Sequence, residues 1–273
     1  MAAVIKRVII VAYQEDTTEL ERALTDEGFD PIIVLRRRYS EEETCYSRAS
    51  RCLLSHHTAW ELASRSEGLS MIVEADFVPV KGIRNLPLPY PTSREDHAWG
   101  WLYACGQRVY ELVDGAYIRG HSATTVAYVI GPQAAKKVMP FLESELTKND
   151  PKNYFPWDIY IRMFAQRAGV SMYLPYRSYG EHGGIPNKEH KVHGITLTHH
   201  ADVLWGPLHF LPLYAKGSRL RFIAYRLKAK GKAILRTLSG RYLERPTLFN
   251  EGLPRAYRAT LLRLALTRHL SLF

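Results

Sequence analysis

The sequence predicts an α/β protein, with a largely parallel sheet covered by helices on both faces and a basic helical segment at the carboxyl terminus. Three observations carry that expectation. Apolar runs of strand length alternate with helix-length segments from Val4 to Leu174, the pattern of strand-helix-strand units. One run, Met71-Ile72-Val73, ends abruptly in Glu74 and Asp76, where a buried strand should emerge from a sheet. The third is charge: residues 216–273 hold 14 Lys or Arg against two acids, whereas 1–215 hold 23 against 25. This divides the chain into a nearly neutral body, 1–215, and a cationic tail, 216–273.

Each element has a local reason. Val8-Ile9-Ile10-Val11 centres a first strand over Val4 to Ala12, and a polar helix from Thr17 to Glu27 stops at Gly28. Ile32 to Leu35 forms a second strand, followed by Arg36-Arg37-Arg38. From Ser47 to Ser64 the residues Ala49, Leu53, Trp60 and Ala63 recur at helical spacing. The strand ending at Asp76 comes next, and after the prolines 87, 89 and 91 an alternating stretch runs from His97 to Cys105. Thr124 to Ile130 is another strand, and Pro132 opens a helix through Leu146 because proline suits a first helical position. Phe155-Pro156-Trp157-Asp158 opens a helix to Arg167, and Val170 to Leu174 is a short strand. Beyond Gly217 the aliphatic residues Leu220, Ile223, Ala224, Leu227, Ile234, Leu235 and Leu238 share about a third of a helical wheel, with Arg226, Lys228, Lys230, Lys232 and Arg236 elsewhere. Gly231 should weaken or bend that helix, and a second basic, leucine-rich stretch covers Arg255 to Leu272.

A chain of 273 residues, 46% hydrophobic and 23% charged, buries a full core. It has no apolar run of the roughly 18 residues that cross a bilayer. Lys6 and Arg7 interrupt the first apolar stretch, which reads as a strand and not as a signal peptide, so a cytoplasmic location is expected. Cys45, Cys52 and Cys105 suit neither a disulfide framework nor a CxxC zinc site.

Open α/β sheets bind ligands at the carboxyl ends of their strands. Side chains alternate along extended chain, so Glu74 and Asp76 should leave the strand on one side and share a hard divalent cation holding phosphate oxygens. Four blocks are informative in their order: Cys52-Leu53-Leu54-Ser55-His56-His57 with Trp60, the strand ending Glu74-Ala75-Asp76, Thr124-Thr125-Val126-Ala127-Tyr128 with its following helix, and Pro156-Trp157-Asp158. From Cys45 to Tyr173 this order resembles glycosyltransferase family 25, which includes lipooligosaccharide galactosyltransferases. Two departures stand out. Ala75 occupies the middle of the family's Glu-Asp-Asp, and the Asn-Leu segment after the first strand is absent.

The resemblance implies a GT-A-like nucleotide-sugar-binding sheet and a nucleotide-sugar donor, such as UDP-galactose or another UDP-hexose. It further implies a divalent metal, Mn²⁺ or Mg²⁺, and inversion at the anomeric carbon. Carried onto this sequence, Asp76 would ligate the metal, and Glu74 would hold the metal or the ribose. Of six late histidines (182, 190, 193, 199, 200 and 209), His182 is the choice for completing the metal shell, because glycines around Glu181-His182 permit close approach to phosphate. Arg51, Ser55 and His56 would adjoin the donor, although a serine and a histidine beside Trp60 also suit a buried, hydrogen-bonded place. Thr124, Thr125, Tyr128 and Glu181 would lie near the acceptor or a closing loop. Asp158, in the first turn of a helix whose dipole favours a carboxylate, is the candidate base, or simply a helix cap. The acceptor would be a lipid-linked or lipopolysaccharide glycan. The tail would rest on the anionic inner face of a bacterial membrane or pack on the body. A metal-dependent hydrolase and a basic nucleic-acid-binding protein are the alternatives, though the tail's defined apolar face speaks against nucleic acid.

Overall fold

The computed structural model describes residues 5–114, 117–185, 199–241, 243 and 255–270. His190, His193 and Tyr242 lie outside the described residues. The first strand, β1 (Ile5–Ala12), pairs in parallel with β2 (Ile32–Arg36) on one side and β3 (Leu69–Glu74) on the other. Helix α1 (Thr18–Asp26) joins β1 to β2, and the short α2 (Glu41–Thr44) and long α3 (Arg48–Ser64) join β2 to β3. Alternate residues of β1 enter opposite cores: Ile9 and Val11 pack with Leu53, Trp60, Ile72, Trp99 and Tyr128, whereas Val8 and Ile10 pack with Leu20, Leu24, Met71, Val73 and Phe77. Both faces are therefore covered, which explains the unbroken apolar character of β1 and β3.

β4 (Phe77–Pro79) follows β3, then β5 (Ala98–Trp101), β6 (Arg108–Val113), β7 (Tyr117–His121) and β8 (Ala127–Ile130). Helices α4 (Pro132–Val138), α5 (Phe141–Lys148) and α6 (Trp157–Arg167) precede β9 (Ser171–Leu174) and β10 (Gly180–His182). The main sheet has the order β2-β1-β3-β8-β5-β9-β7-β6, while β4 and β10 form a separate antiparallel pair.

This corrects three expectations. The sheet is mixed and not largely parallel: β8 runs antiparallel between β3 and β5, and β7 pairs antiparallel with β6 and β9. The β6–β7 pair escaped the sequence reading because it is a charged pair at the sheet's edge, with Arg108, Glu111 and Arg119 in its strands. The helix expected from Pro132 to Leu146 is two helices, since Pro140 lacks an N–H and its ring obstructs the preceding turn. Finally, β3 ends at Glu74, and the chain turns at Ala75–Asp76.

Helix α7 (Arg219–Leu238) runs through Gly231 without a break and is capped by the Ser218 hydroxyl, which accepts from Arg221 N. Helix α8 (Arg255–Leu270) packs beside it, burying Leu261 and Ala265. The face that α7 turns to the body carries Ala229, Ala233 and Thr237, not the leucines. Two ion pairs anchor it: Arg226 donates to Glu181 Oε2 at 2.6 Å, and Arg236 to Asp202 Oδ1. Glu181 is fully buried, so its charge depends on Arg226. Among the described residues, no helix is long and apolar enough to cross a membrane.

The anchor is measurable. Arg226→Ala should cost about 3 kcal/mol of unfolding free energy in urea, because it strands a buried carboxylate. The double variant Arg226→Met/Glu181→Met should recover most of that loss. A single-variant loss below about 1 kcal/mol would contradict a buried, dependent charge.

Candidate active site

The chain leaves β1 toward β2 on one side and returns to β3 on the other, so the crevice beyond the carboxyl ends of β1 and β3 lies at a reversal of strand order. A cavity of about 540 Å³ occupies that place, lined by Val11 to Glu15 from the end of β1, Tyr39 after β2, Arg48, Arg51, Cys52 and Ser55 of α3, and Glu74 to Asp76. Its size suits a small-molecule ligand.

The two carboxylates at its floor have different partners, because the chain stops being extended at Glu74. Glu74 Oε1 accepts from Thr125 Oγ1 at 3.1 Å and lies 3.3 Å from His56 Nε2. His56 is fully buried, with Nδ1 2.9 Å from the Tyr128 hydroxyl, and Trp60 Nε1 donates to that same hydroxyl at 2.8 Å. With Trp60 donating to it, the Tyr128 hydroxyl can give its own hydrogen to His56 Nδ1; in that tautomer Nε2 is protonated and donates to Glu74. The order Trp60, Tyr128, His56, Glu74 is thus a directed chain that fixes one carboxylate from the core outward. Cys52, His56 and Glu74 present ligand atoms within 4.8 Å of one another, the spacing of a metal cluster. In the chain just described, however, the His56 nitrogen nearest Glu74 carries a hydrogen, not a free lone pair. Burial, then the nearby carboxylates of Glu74, Asp158 and Asp76, push the Cys52 thiol well up, so it stays neutral.

Asp76 faces the other way along the chain. Its Oδ2 lies 2.9 Å from His182 Nε2, while its Oδ1 is buried with no hydrogen-bond partner. Pairing of β10 with β4 sets His182 opposite Phe77, and Gly183 N donates to Asp76 O at 2.7 Å, which closes the loop over the turn. Gly183 and Gly184 are required by that approach: a Cβ on Gly184 would sit 2.2 Å from Asp76 Oδ2, and one on Gly183 2.8 Å from the Asp76 carbonyl oxygen. Burial opposes charge on both partners, but their mutual attraction outweighs it, lowering the Asp76 carboxyl and raising His182 to about 9.

Around the mouth, the Tyr13 and Tyr39 rings lie 5.6 Å apart, and the Arg51 guanidinium sits 5.4 Å and 5.8 Å from their centroids. The Tyr39 hydroxyl bonds Ser55 Oγ at 2.7 Å. Arg36 donates to the carbonyls of Tyr13 and Glu15, and Arg37 pairs with Glu43 at 2.7 Å, so these two arginines are spent on the surrounding loops.

The structure therefore brings Arg51, Ser55, Glu74 and Asp76 to one cavity and sets His182 against Asp76. His56, Thr125 and Tyr128 stand behind Glu74 as its supports, whereas the Thr124 carbonyl accepts from Trp101 Nε1 at 2.7 Å. Glu181 is taken by Arg226. Of the other late histidines, His209 pairs with Glu27 at 2.7 Å, and His200 lies against Tyr214 and Tyr225. Tyr13, Tyr39 and Arg48 were missed in the sequence, although their places at the ends of β1 and β2 and the start of α3 were a usable signal.

Asp158 opens α6 beneath Trp157, whose ring centroid is 5.3 Å from that of His56. It does not line the cavity. Burial, then the Glu74 carboxylate, raises its pKa to about 7 against 3.8 for a free side chain, with the Ile159 N–H pulling the other way.

No protein-family model matches the sequence, and no curated protein matches it. Among solved structures, the chain is similar to a glycosyltransferase involved in the glycosylation of the major capsid of PBCV-1, at 15% identity over 63% of this chain and 83% of that one, with a TM-score of 0.38. It is also similar to the CTP:phosphocholine cytidylyltransferase from Streptococcus pneumoniae, at 11% identity over 63% of this chain and 89% of that one, with a TM-score of 0.37. Likenesses this distant assign no chemistry.

The Asp158 shift has a sign that can be checked. A carboxyl with a higher pKa folded than unfolded binds its proton more tightly when folded, so stability falls as pH rises from about 4 through about 7. Asp158→Asn should therefore raise the melting temperature at pH 8 and leave it nearly unchanged at pH 4. Equal effects at the two pH values would contradict the partly buried, raised carboxyl.

Proposed function

We propose that the chain is an inverting glycosyltransferase that moves a sugar from a nucleotide-sugar donor to a lipid-linked or lipopolysaccharide glycan, with the cavity beyond β1 and β3 as its donor site. The observation that carries this reading is Asp76, a cavity-lining carboxylate with one oxygen held by His182 and the other buried without a partner. An orphaned carboxylate oxygen just past a strand end is suited to a hard cation: Asp76 would hold Mn²⁺ or Mg²⁺, completed by donor phosphate and water, while His182, paired with the other Asp76 oxygen, would keep the carboxylate in place. Such a metal would neutralise charge on a leaving diphosphate.

The remaining roles follow from position. Arg48 and Arg51 are the cations lining the cavity and suit the diphosphate. The Tyr13 and Tyr39 rings beside Arg51 suit a base. Glu74, fixed by His56 and Thr125, suits hydroxyl groups of ribose or sugar. In the transfer step an acceptor oxygen forms a bond to the anomeric carbon from the face opposite the diphosphate, the bond to the diphosphate breaks, and the acceptor's proton passes to a base. Asp158 is that base: its pKa, raised to about 7, makes it basic enough to take a proton near neutrality. Since it does not line the cavity itself, the acceptor must approach from the α6 side.

UDP-galactose with Mn²⁺ should raise the melting temperature of the wild-type protein, by an amount set by ligand concentration over its dissociation constant. Asp76→Ala should lose that response and lower transfer by at least about a hundredfold. Full transfer in the variant, or in excess chelator, would overturn the metal role, and silence toward UDP-, GDP- and CMP-sugars alike would overturn the donor site.

A further inference from the structure

Helix α7 is amphipathic in an unusual sense. Its inward face is small and ionic, and its aliphatic residues point to solvent: Leu220 is 80% exposed, Ile223 52%, Leu227 66%, Leu235 67% and Leu238 70%. On a helical wheel these five fall within an arc of about 120°. Lys228, Arg221 and Lys232 border the arc on one side, and Arg219 and Lys230 on the other. The helix contains no acid. Arg226 and Arg236 take no part in this border, being turned inward onto Glu181 and Asp202.

An aligned aliphatic stripe left open to water is the mark of an interaction surface, and its borders select the partner. A second copy of the chain would oppose the same cations with no acid between them. Nucleic acid would meet leucines where it needs stacking aromatics, since Phe222 and Tyr225 are both partly buried. An anionic bilayer satisfies both halves, with acyl chains for the stripe and lipid phosphates for the two basic borders.

We infer that the outer face of α7 is a docking surface for an anionic lipid bilayer, with Leu220, Ile223, Leu227, Leu235 and Leu238 entering the interface. The assignment is independent of the reaction in the cavity, but it has a geometric consequence for it. The inner face of the same helix grips Glu181, the neighbour of His182, through Arg226. A bilayer on the outer face therefore lies about one helix diameter, roughly 10 Å, from the loop that holds Asp76.

The test is co-sedimentation of the full chain with vesicles of phosphatidylcholine containing about 30 mol% phosphatidylglycerol, and with phosphatidylcholine alone, at low and high salt. Two variants accompany it, Leu227→Glu/Leu235→Glu and Lys228→Glu/Lys232→Glu. All four side chains are exposed, so both variants should keep the wild-type melting temperature. Relative to wild-type binding to the anionic vesicles at low salt, binding should be at least about tenfold weaker in either variant, at high salt, and on neutral vesicles. Absence of wild-type binding, or unchanged binding in the leucine variant, would overturn the inference. So would a soluble dimer that dissociates in the leucine variant, which would give the stripe to a second copy instead.

Discussion

The pairing of Asp76 with His182 is the contact on which the organisation of this molecule turns. A carboxylate placed at the end of a buried strand must find a partner or lose its charge. Here the partner comes from β10, far along the chain, and holding it there takes the β4–β10 ladder, the two glycines that let the loop approach, and the Gly183 N–H to the Asp76 carbonyl. Next to His182, Glu181 is buried so completely that it draws Arg226 inward, and with it α7. The basic helix is thus attached to the body through the same loop that holds Asp76.

The division of labour between Glu74 and Asp76 follows from one backbone event. Had the strand continued to Asp76, both side chains would have shared a side and one ligand. Because the chain turns after Glu74, the first acid is held from the core by Thr125 and His56, and the second is held from the loop with an oxygen left over. Ala75, which departs from the family pattern, sits within that turn and lines the cavity without adding charge.

Much of this was legible in the sequence where local signals dominate. The β-branched run of β1, the Ser47 cap and apolar stripe of α3, and the Pro-Trp-Asp start of α6 all determine their elements from within a few residues. Glu74, Asp76, Arg51 and Ser55 were legible as site residues because strand ends and the helix that follows them converge on one crevice. What escaped depends on distant partners. The antiparallel β8 cannot be told from a parallel strand by its own residues, and the edge strand β6 and its neighbour β7 carry charges that mask their alternation. Tyr128 reads as a possible ligand contact until Trp60 and His56 are seen to enclose its hydroxyl. The orientation of α7 also runs against the usual rule: its leucines face water because alanines fit closer to the body and because Glu181 and Asp202 claim two of its arginines.

The most direct measurement is anomalous diffraction from crystals soaked with Mn²⁺ and UDP. A single manganese peak within coordination distance of the Asp76 carboxylate, with the nucleotide in the crevice between β1 and β3, is the expected result. A peak at Cys52, His56 and Glu74 instead, or nucleotide bound away from that crevice, would contradict the assignment of Asp76 as the cation-binding group.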